Sequence, residues 1–272
     1  MPETTIAEQP PGLPGERRIF ARPQSLTDTP FTYCPGCTHG TIARIAAEAI
    51  DELGLGDRAV VIGSVGCSVW TYNFFNLDAI GAPHGRAPAL ATGIKRVHPE
   101  NVVFTIQGDG DLAAIGTAEI IHAAARGEDI TCLFVNNGVF GMTQGQMAPT
   151  TLLGQITTTS PYGRTAERDG FPLRLTEMVA QCSGAAYVTR VAVIDPRTVR
   201  QAKRAIRKAF QVQMRGQGLS LVELVSICPT WWGKSPQEAA QWVRDEVLQY
   251  YPLGELKTPE VDSSTEDVGA AD

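Results

Sequence analysis

The sequence predicts a single doubly wound α/β domain, a mostly parallel sheet with helices on both faces. Three observations carry that prediction. Five short runs, "RAVVIG", "NVVFTIQ", "ITCLFVNN", "AAYVTRV" and "LSLVELVSI", are almost wholly apolar and rich in β-branched residues, as strands buried on both faces are. Segments of helical period lie between them, the alternation that builds parallel sheets. Two of the strands run into turns of glycine, aspartate and asparagine, "GDGD" and "NNG", where the chain changes direction.

The elements follow in order. Residues 1–30 are rich in Pro, Thr and Glu without periodicity and read as an extended arm. "HGTIARIAAEAIDELGL" puts Ile42, Ile45, Ala46, Ala49 and Ile50 on one helical stripe. The strand at 58–63 leads through a loop containing Cys67 to a small-residue helix, "RAPALATGIKRVHPE", which ends near Pro99. The strand at 101–107 precedes a helix, "DLAAIGTAEIIHAAARG", closed by Gly127. Beyond the strand at 130–137, a Gly-, Thr-, Pro- and Gln-rich segment of roughly 35–40 residues runs from Gly138 into the 170s. Loops of that length are uncommon in compact domains and are usually functional. A helix over "RLTEMVAQCSG", a strand at 185–191, a basic helix over "DPRTVRQAKRAIRKAF", a strand at 219–227 and a helix from "SPQEAAQWVRDEVL" complete a domain over 31–255. The acidic stretch over 256–272 reads as a disordered tail.

With 272 residues, 43% of them hydrophobic, the chain can bury a large core. No run approaches the roughly 20 apolar residues that span a bilayer, so no membrane partner is expected. The N-terminus lacks the apolar stretch of a secretory signal, which points to the cytoplasm. A net charge of −6 gives no general attraction for phosphate backbones, and nucleic acid is not an expected partner. Six cysteines in a reducing compartment point to metal ligation or burial rather than disulfides.

The chemistry gathers at two strand ends. Gly108 and Gly110 let backbone approach a phosphate closely, and a helix from Asp111 offers free N–H groups and a positive dipole end. Asp109 and Asp111 in the same turn would repel that phosphate unless a divalent cation lay between. Mg2+ takes carboxylate, amide and carbonyl oxygens together with phosphate oxygens. The next strand end offers Asn136 and Asn137, then the carbonyls of Gly138 and Val139. Gly116 falls too late for a dinucleotide fingerprint, and "GDGD" alone is as readily a tight turn.

Cys34 and Cys37, taken alone, fit zinc first, a redox dithiol second, and one corner of an iron–sulfur cluster third. No second close pair completes a zinc site, and His39, His84, His98 and His122 are scattered. Cys132, mid-strand, and Cys182, in a helix, read as buried free thiols. Arg197, Arg200, Lys203, Arg204, Arg207 and Lys208 read first as a solvated helix face, and second as a patch for an acidic partner.

Taken together, "GDGD", one helix, one strand and "NN" resemble the thiamine-diphosphate enzymes. That resemblance implies a thiamine-diphosphate-binding fold, with Mg2+ held by Asp109, the Asn137 side chain and the Val139 carbonyl. The segments "CPGCTHG", "GSVGCSVW", "HGRAPALATGIKRVHPE", "QGDGDLAAIG", "NNGVFGMTQGQMAPTT" and "ICPTWW" occur in this order over about residues 31–255. They resemble the β subunit of 2-oxoacid:ferredoxin oxidoreductases, and "TTTSPYGR" and "YYPLGELK" are most like the 2-oxoglutarate branch. The resemblance implies one 4Fe–4S cluster on Cys34, Cys37, Cys67 and Cys228. It implies a cofactor pocket drawn from Cys67, Ser68, Gly108, Asp109, Gly110, Asp111, Asn137, Val139, Gly141, Met142 and Thr143, with His84 and Arg86 near the active site.

The implied reaction is oxidative decarboxylation of a 2-oxoacid to an acyl-coenzyme A and CO2, with single electrons passing through the cluster to ferredoxin. 2-Oxoglutarate is the first substrate expectation; pyruvate and branched-chain oxoacids are alternatives. The glutamate that activates the cofactor is expected from an α subunit, making αβ or (αβ)2 the active unit. Thr38, Phe140 and Gln144 stand where the family usually has Gly, Tyr and Gly. Two other classes stay open: a non-redox thiamine-diphosphate decarboxylase or synthase with its cysteines on zinc, and a non-enzymatic metal-binding scaffold.

Overall fold

The computed structural model describes residues 21–259, so residues 1–20 of the expected arm and 260–272 of the expected tail lie outside the described residues. Its strands are β1 (Ala59–Gly63), β2 (Asp78–Gly81), β3 (Val102–Gly108), β4 (Thr131–Asn136), β5 (Val139–Phe140), β6 (Gln146–Met147), β7 (Ala185–Ala192), β8 (Leu219–Val225) and β9 (Gly254–Lys257). Seven form one sheet in the order β2-β1-β3-β4-β8-β7-β9, and β5 and β6 make a separate hairpin. Every pairing in the main sheet is parallel except β7 with β9.

The five strands expected from apolar runs are β1, β3, β4, β7 and β8, the interior of that sheet. β2 and β9 were not legible, because "DAIG" and "GELK" are short and largely exposed. They are the two edge strands, where exposure and polarity guard against unwanted pairing.

The longer helices are α1 (His39–Glu52), α2 (Ala87–Val97), α3 (Thr117–Arg126), α4 (Leu175–Ala180), α5 (Pro196–Met214) and α6 (Pro236–Trp242). Because side chains alternate across a strand, the sheet feeds two cores. On one face the α1 stripe, all five expected residues, packs with Ile206 and Phe210 of α5 against Val61, Phe104, Leu133 and Leu224. On the other, Ala91, Ile120, Ala124 and Val179 of α2, α3 and α4 pack against Ile62, Val103, Phe134 and Leu221. Helices thus cover both faces, as the alternation of elements predicts.

Three boundaries differ from expectation, the first being that β9 carries the sheet to Lys257, two residues into the expected tail. Residues 24–27 belong to the folded unit: the Gln24 and Ser25 N–H groups donate to the Asp51 carboxylate at 2.6 and 3.1 Å, and Leu26 is buried in the α1 core. The helix expected over 111–127 is divided into a wide turn at Asp111–Ile115 and α3, joined at Gly116. Among the described residues no helix is long and apolar enough to cross a membrane.

Asp195 starts α5: its carboxylate accepts the Thr198 N–H at 2.8 Å, and Thr198 Oγ1 accepts the Asp195 N–H at 3.0 Å. The Thr198 N–H holds the Asp195 carboxyl below its ordinary range. A depressed carboxyl stabilises the fold above the unfolded value of about 4 and ceases to do so as the pH falls below it. Asp195→Ala is expected to cost about 1 kcal/mol in urea unfolding at neutral pH, and the difference from wild type is expected to shrink as the pH is lowered towards about 3.

Candidate functional site

β1, β3, β4 and β8 are neighbours in the parallel sheet, so the segments leaving their carboxyl ends meet on one edge, the usual ligand-binding edge of such sheets. Asp109 lies at its centre, buried. Its Oδ1 accepts the Gly110 N–H at 2.8 Å; its Oδ2 accepts the Asn137 N–H at 3.2 Å, the Gly138 N–H at 2.5 Å and the Thr150 hydroxyl at 2.6 Å. Burial pushes the carboxyl up to about 6, against the pull of those donors. Asn137 Oδ1 accepts the Val139 N–H at 3.3 Å, and the Asn137 carbonyl accepts the Trp232 indole N–H at 3.1 Å. The carboxylate, amide and carbonyl of the expected Mg2+ set are therefore gathered on two adjacent strand ends.

Beside them, Ser64 Oγ and Ser68 Oγ are buried without a hydrogen-bond partner among the described residues. A buried orphan hydroxyl costs about 1–3 kcal/mol, so a ligand bringing polar groups to this edge would relieve both. Asp111 has a different role from Asp109. Its carboxylate accepts from His84 Nδ1–H, from the Gly85 N–H at 2.6 Å and from Gln107 Nε2–H at 2.6 Å. It shares none of these partners with Asp109 and is bound to the His84 turn.

The Phe140 ring packs onto Gly110 so closely that a Cβ there would collide with it. At Gly141 a Cβ would stand 3.3 Å from Cys67 Sγ and 3.8 Å from Cys228 Sγ. Burial pushes the Cys67 and Cys228 thiols up to about 12; the charges of Cys37 and Cys34 and of Asp109 push the same way on both. Burial raises Cys37 as well, and Cys34 adds to it. The four thiols thus share one electrostatic neighbourhood. Among the described residues, however, no three His, Cys, Asp or Glu side chains close round one point as for a single ion. Cys37 Sγ lies 3.2 Å from His39 Nδ1, and burial lowers that imidazole to about 4, leaving it neutral at pH 7.

Met142 is exposed and Thr143 bonds to Gln146 in the turn of the β5–β6 hairpin. Arg86 is engaged by Glu119. Cys132 is buried as expected, whereas Cys182 is only half-buried, near the Met178 carbonyl. Three contributors were invisible in the sequence: Thr150 on Asp109, the 2.6 Å contact between the Thr38 and Ser226 hydroxyls, and Glu223, which accepts Asn136 Nδ2–H at 2.8 Å. The sole hint was that Thr38 departs from the family's usual glycine.

Residues 63–224 match the family described as "Thiamine pyrophosphate enzyme, C-terminal TPP binding domain". The 2-oxoglutarate synthase subunit KorB of Archaeoglobus fulgidus is 39% identical over 201 residues, 74% of this chain and 71% of KorB. The chain belongs to the β-subunit family of 2-oxoacid:ferredoxin oxidoreductases. Within this family the ketoisovalerate oxidoreductase subunit VorA of Methanothermobacter thermautotrophicus is 43% identical over 235 residues, 86% of this chain but 49% of VorA. The chain therefore spans about half the length of VorA. The structure of a 2-oxoglutarate:ferredoxin oxidoreductase from Magnetococcus marinus, with 2-oxoglutarate, coenzyme A and succinyl-CoA bound, superposes with a TM-score of 0.74 at 25% identity, covering 90% of this chain and 87% of that one.

Gln144, where the resemblance expects glycine, has a φ of +86°, in the left-handed region. That conformation costs a residue with a side chain about 1–2 kcal/mol, partly offset by the larger entropy that glycine loses on folding. Gln144→Gly is expected to raise stability by up to about 1 kcal/mol in urea unfolding.

Proposed function

We propose that this chain is the cofactor-bearing β subunit of a cytoplasmic, coenzyme A-dependent 2-oxoacid:ferredoxin oxidoreductase that works with an α subunit. One observation carries the proposal. Gly141, two residues beyond Val139 of the Asp109–Asn137 site, is flanked by the sulfurs of Cys67 and Cys228. A single short loop therefore borders both groups of donors.

Both donor sets fit their cofactors. Asp109, the Asn137 amide and the Val139 carbonyl offer the hard oxygens that Mg2+ prefers, beside the unpartnered Ser64 and Ser68 hydroxyls and the Gly108–Gly110 backbone. Cys34, Cys37, Cys67 and Cys228 repel one another as thiolates, a repulsion that a cationic centre removes. Four thiols in one neighbourhood are the ligand type that iron–sulfur clusters take. When bound, thiamine diphosphate supplies the carbon nucleophile and electron sink for decarboxylation, and the cluster accepts electrons singly.

The chain's own residues bind and orient. Thr150 and the 137–138 backbone fix Asp109, and Phe140 closes over Gly110. On the long segment after β6, Ile156, Tyr162 and Phe171 are 66, 91 and 72% exposed. Exposed apolar surface of this kind suits a protein interface, and the α subunit would cover it.

KorB and the Magnetococcus structure favour 2-oxoglutarate as substrate. Its distal carboxylate needs a cation, yet Arg86 is held by Glu119 and Arg164 by backbone carbonyls, among them those of Thr151 and Phe171; the α subunit would supply it. The 43% identity with VorA favours a second reading, a branched-chain 2-oxoacid.

Two measurements test these proposals. Calorimetry of Mg2+–thiamine diphosphate binding should show Asp109→Ala weakening affinity by more than the roughly 10–100-fold that losing an outer-sphere partner costs; equal affinity would remove Asp109 from the site. With the αβ complex, coenzyme A and ferredoxin, 2-oxoglutarate should give a higher kcat/KM than 3-methyl-2-oxobutanoate. The reverse order would select the branched-chain reading, and no turnover of either would sink the oxidoreductase assignment.

A further inference from the structure

We propose that His84, oriented by Asp111, is the proton-transferring residue of this active site, an inference that rests on the 2-oxoacid reading above. The turn carrying His84 is fixed at both ends. The Ala82 N–H donates to the Gly63 carbonyl at 2.9 Å, pinning the turn to the end of β1, and Arg86 is tied to Glu119 of α3. Between them the Asp111 carboxylate receives the Gly85 N–H at 2.6 Å and His84 Nδ1 on one oxygen, and Gln107 Nε2–H at 2.6 Å on the other. Gln107 is itself held by the Thr105 hydroxyl at 3.0 Å.

A carboxylate only accepts hydrogen bonds, so this contact puts the proton of a neutral His84 on Nδ1 and leaves Nε2 as a bare lone pair. The two side chains differ sharply in access: that of Asp111 is 1% exposed and that of His84 36%. Nε2 has no partner among the described residues. The ring stands edge-on to Phe140, with centroids 6.4 Å apart, and Phe140 is the residue between Val139 and Gly141 that covers Gly110. The imidazole therefore stands at the edge that carries the proposed diphosphate donors.

The other three imidazoles are placed otherwise: His39 is buried on Cys37, His98 faces Glu100, and His122 lies on α3. A purely structural tie would also hold the turn, but the Gly85 N–H already does that, and such a tie has no need of an unpartnered Nε2 on a part-exposed ring.

The proton balance is simple. As a nucleophile adds to the 2-oxo carbon, the carbonyl π pair moves onto oxygen; the His84 Nε2–H bond breaks and an O–H bond forms. When the carbonyl re-forms in the acyl product, the O–H bond breaks and the proton returns to Nε2. The cycle starts and ends on the imidazolium, which Asp111 stabilises; between the two transfers His84 is the neutral tautomer with its proton on Nδ1, and no proton is consumed. Positioned acid–base groups of this kind contribute about 10²–10⁴-fold.

Nitrogen-15 histidine NMR of the full wild-type chain reads the tautomer without any substitution. A proton on Nδ1 of His84 supports the assignment, and one on Nε2 overturns it. Asp111→Asn should allow the proton onto Nε2. In the αβ complex, His84→Asn retains a donor towards Asp111 but lacks Nε2. It is expected to lower kcat by about 10²-fold or more, with KM for the 2-oxoacid and calorimetric thiamine diphosphate affinity changed less than about threefold. A wild-type complex that binds no thiamine diphosphate overturns the site and this inference together. One that binds it while His84→Asn turns over at the wild-type rate overturns this inference alone.

Discussion

The Asp109 carboxylate joins three segments that are far apart along the chain: the end of β3, the Asn137–Gly138 backbone after β4, and Thr150 on the long segment beyond the hairpin. Burial alone would make such a carboxylate unfavourable as an anion, and four internal donors only partly offset this, since its carboxyl remains raised to about 6. A divalent cation at the same place would complete the compensation. The geometry of the edge thus follows from the need to satisfy one buried charge, and Gly138, at a φ of +67°, lets the backbone turn its N–H onto that carboxylate.

From that centre the structure reaches the cysteines by two short routes. One is the loop from Val139 to Gly141, which ends against the sulfurs of Cys67 and Cys228. The other is a chain of hydrogen bonds: Glu223 accepts from the Asn136 amide, the Asn136 carbonyl accepts the Ser226 N–H at 2.8 Å, and the Ser226 hydroxyl meets that of Thr38, next to Cys37. Glu223 is itself held by Arg190 at 2.6 Å, and removing one member of such a buried ion pair costs about 3–5 kcal/mol. The proposed cluster and diphosphate sites therefore share a rigid wall, and a disturbance at either should be felt at the other.

The parts of this arrangement legible in the sequence were those encoded over short distances. β1, β3, β4, β7 and β8 announced themselves as continuous apolar runs, and "GDGD" and "NN" sit at two of their ends. The α1 stripe was visible for the same reason. Contacts between distant residues were not: Thr38 and Ser226 are 188 positions apart, and a hydroxyl in a loop has no periodicity to betray it. β2 and β9 escaped because edge strands need no apolar run. "CPGC" alone could not specify its metal, since the thiols that complete its surroundings come from two other strand ends. The tie between Asp111 and the His84 turn was not legible either, because spacing cannot show which way a carboxylate turns.

The central claim is that four cysteines from three separate segments hold one iron–sulfur cluster beside the Asp109 site. Anomalous diffraction from crystals of the anaerobically purified αβ complex, recorded on both sides of the iron and zinc absorption edges, tests it directly. The expected result is one compact iron signal between Cys34, Cys37, Cys67 and Cys228, close to Gly141. A zinc signal at Cys34 and Cys37, with Cys67 and Cys228 as free thiols, would contradict it.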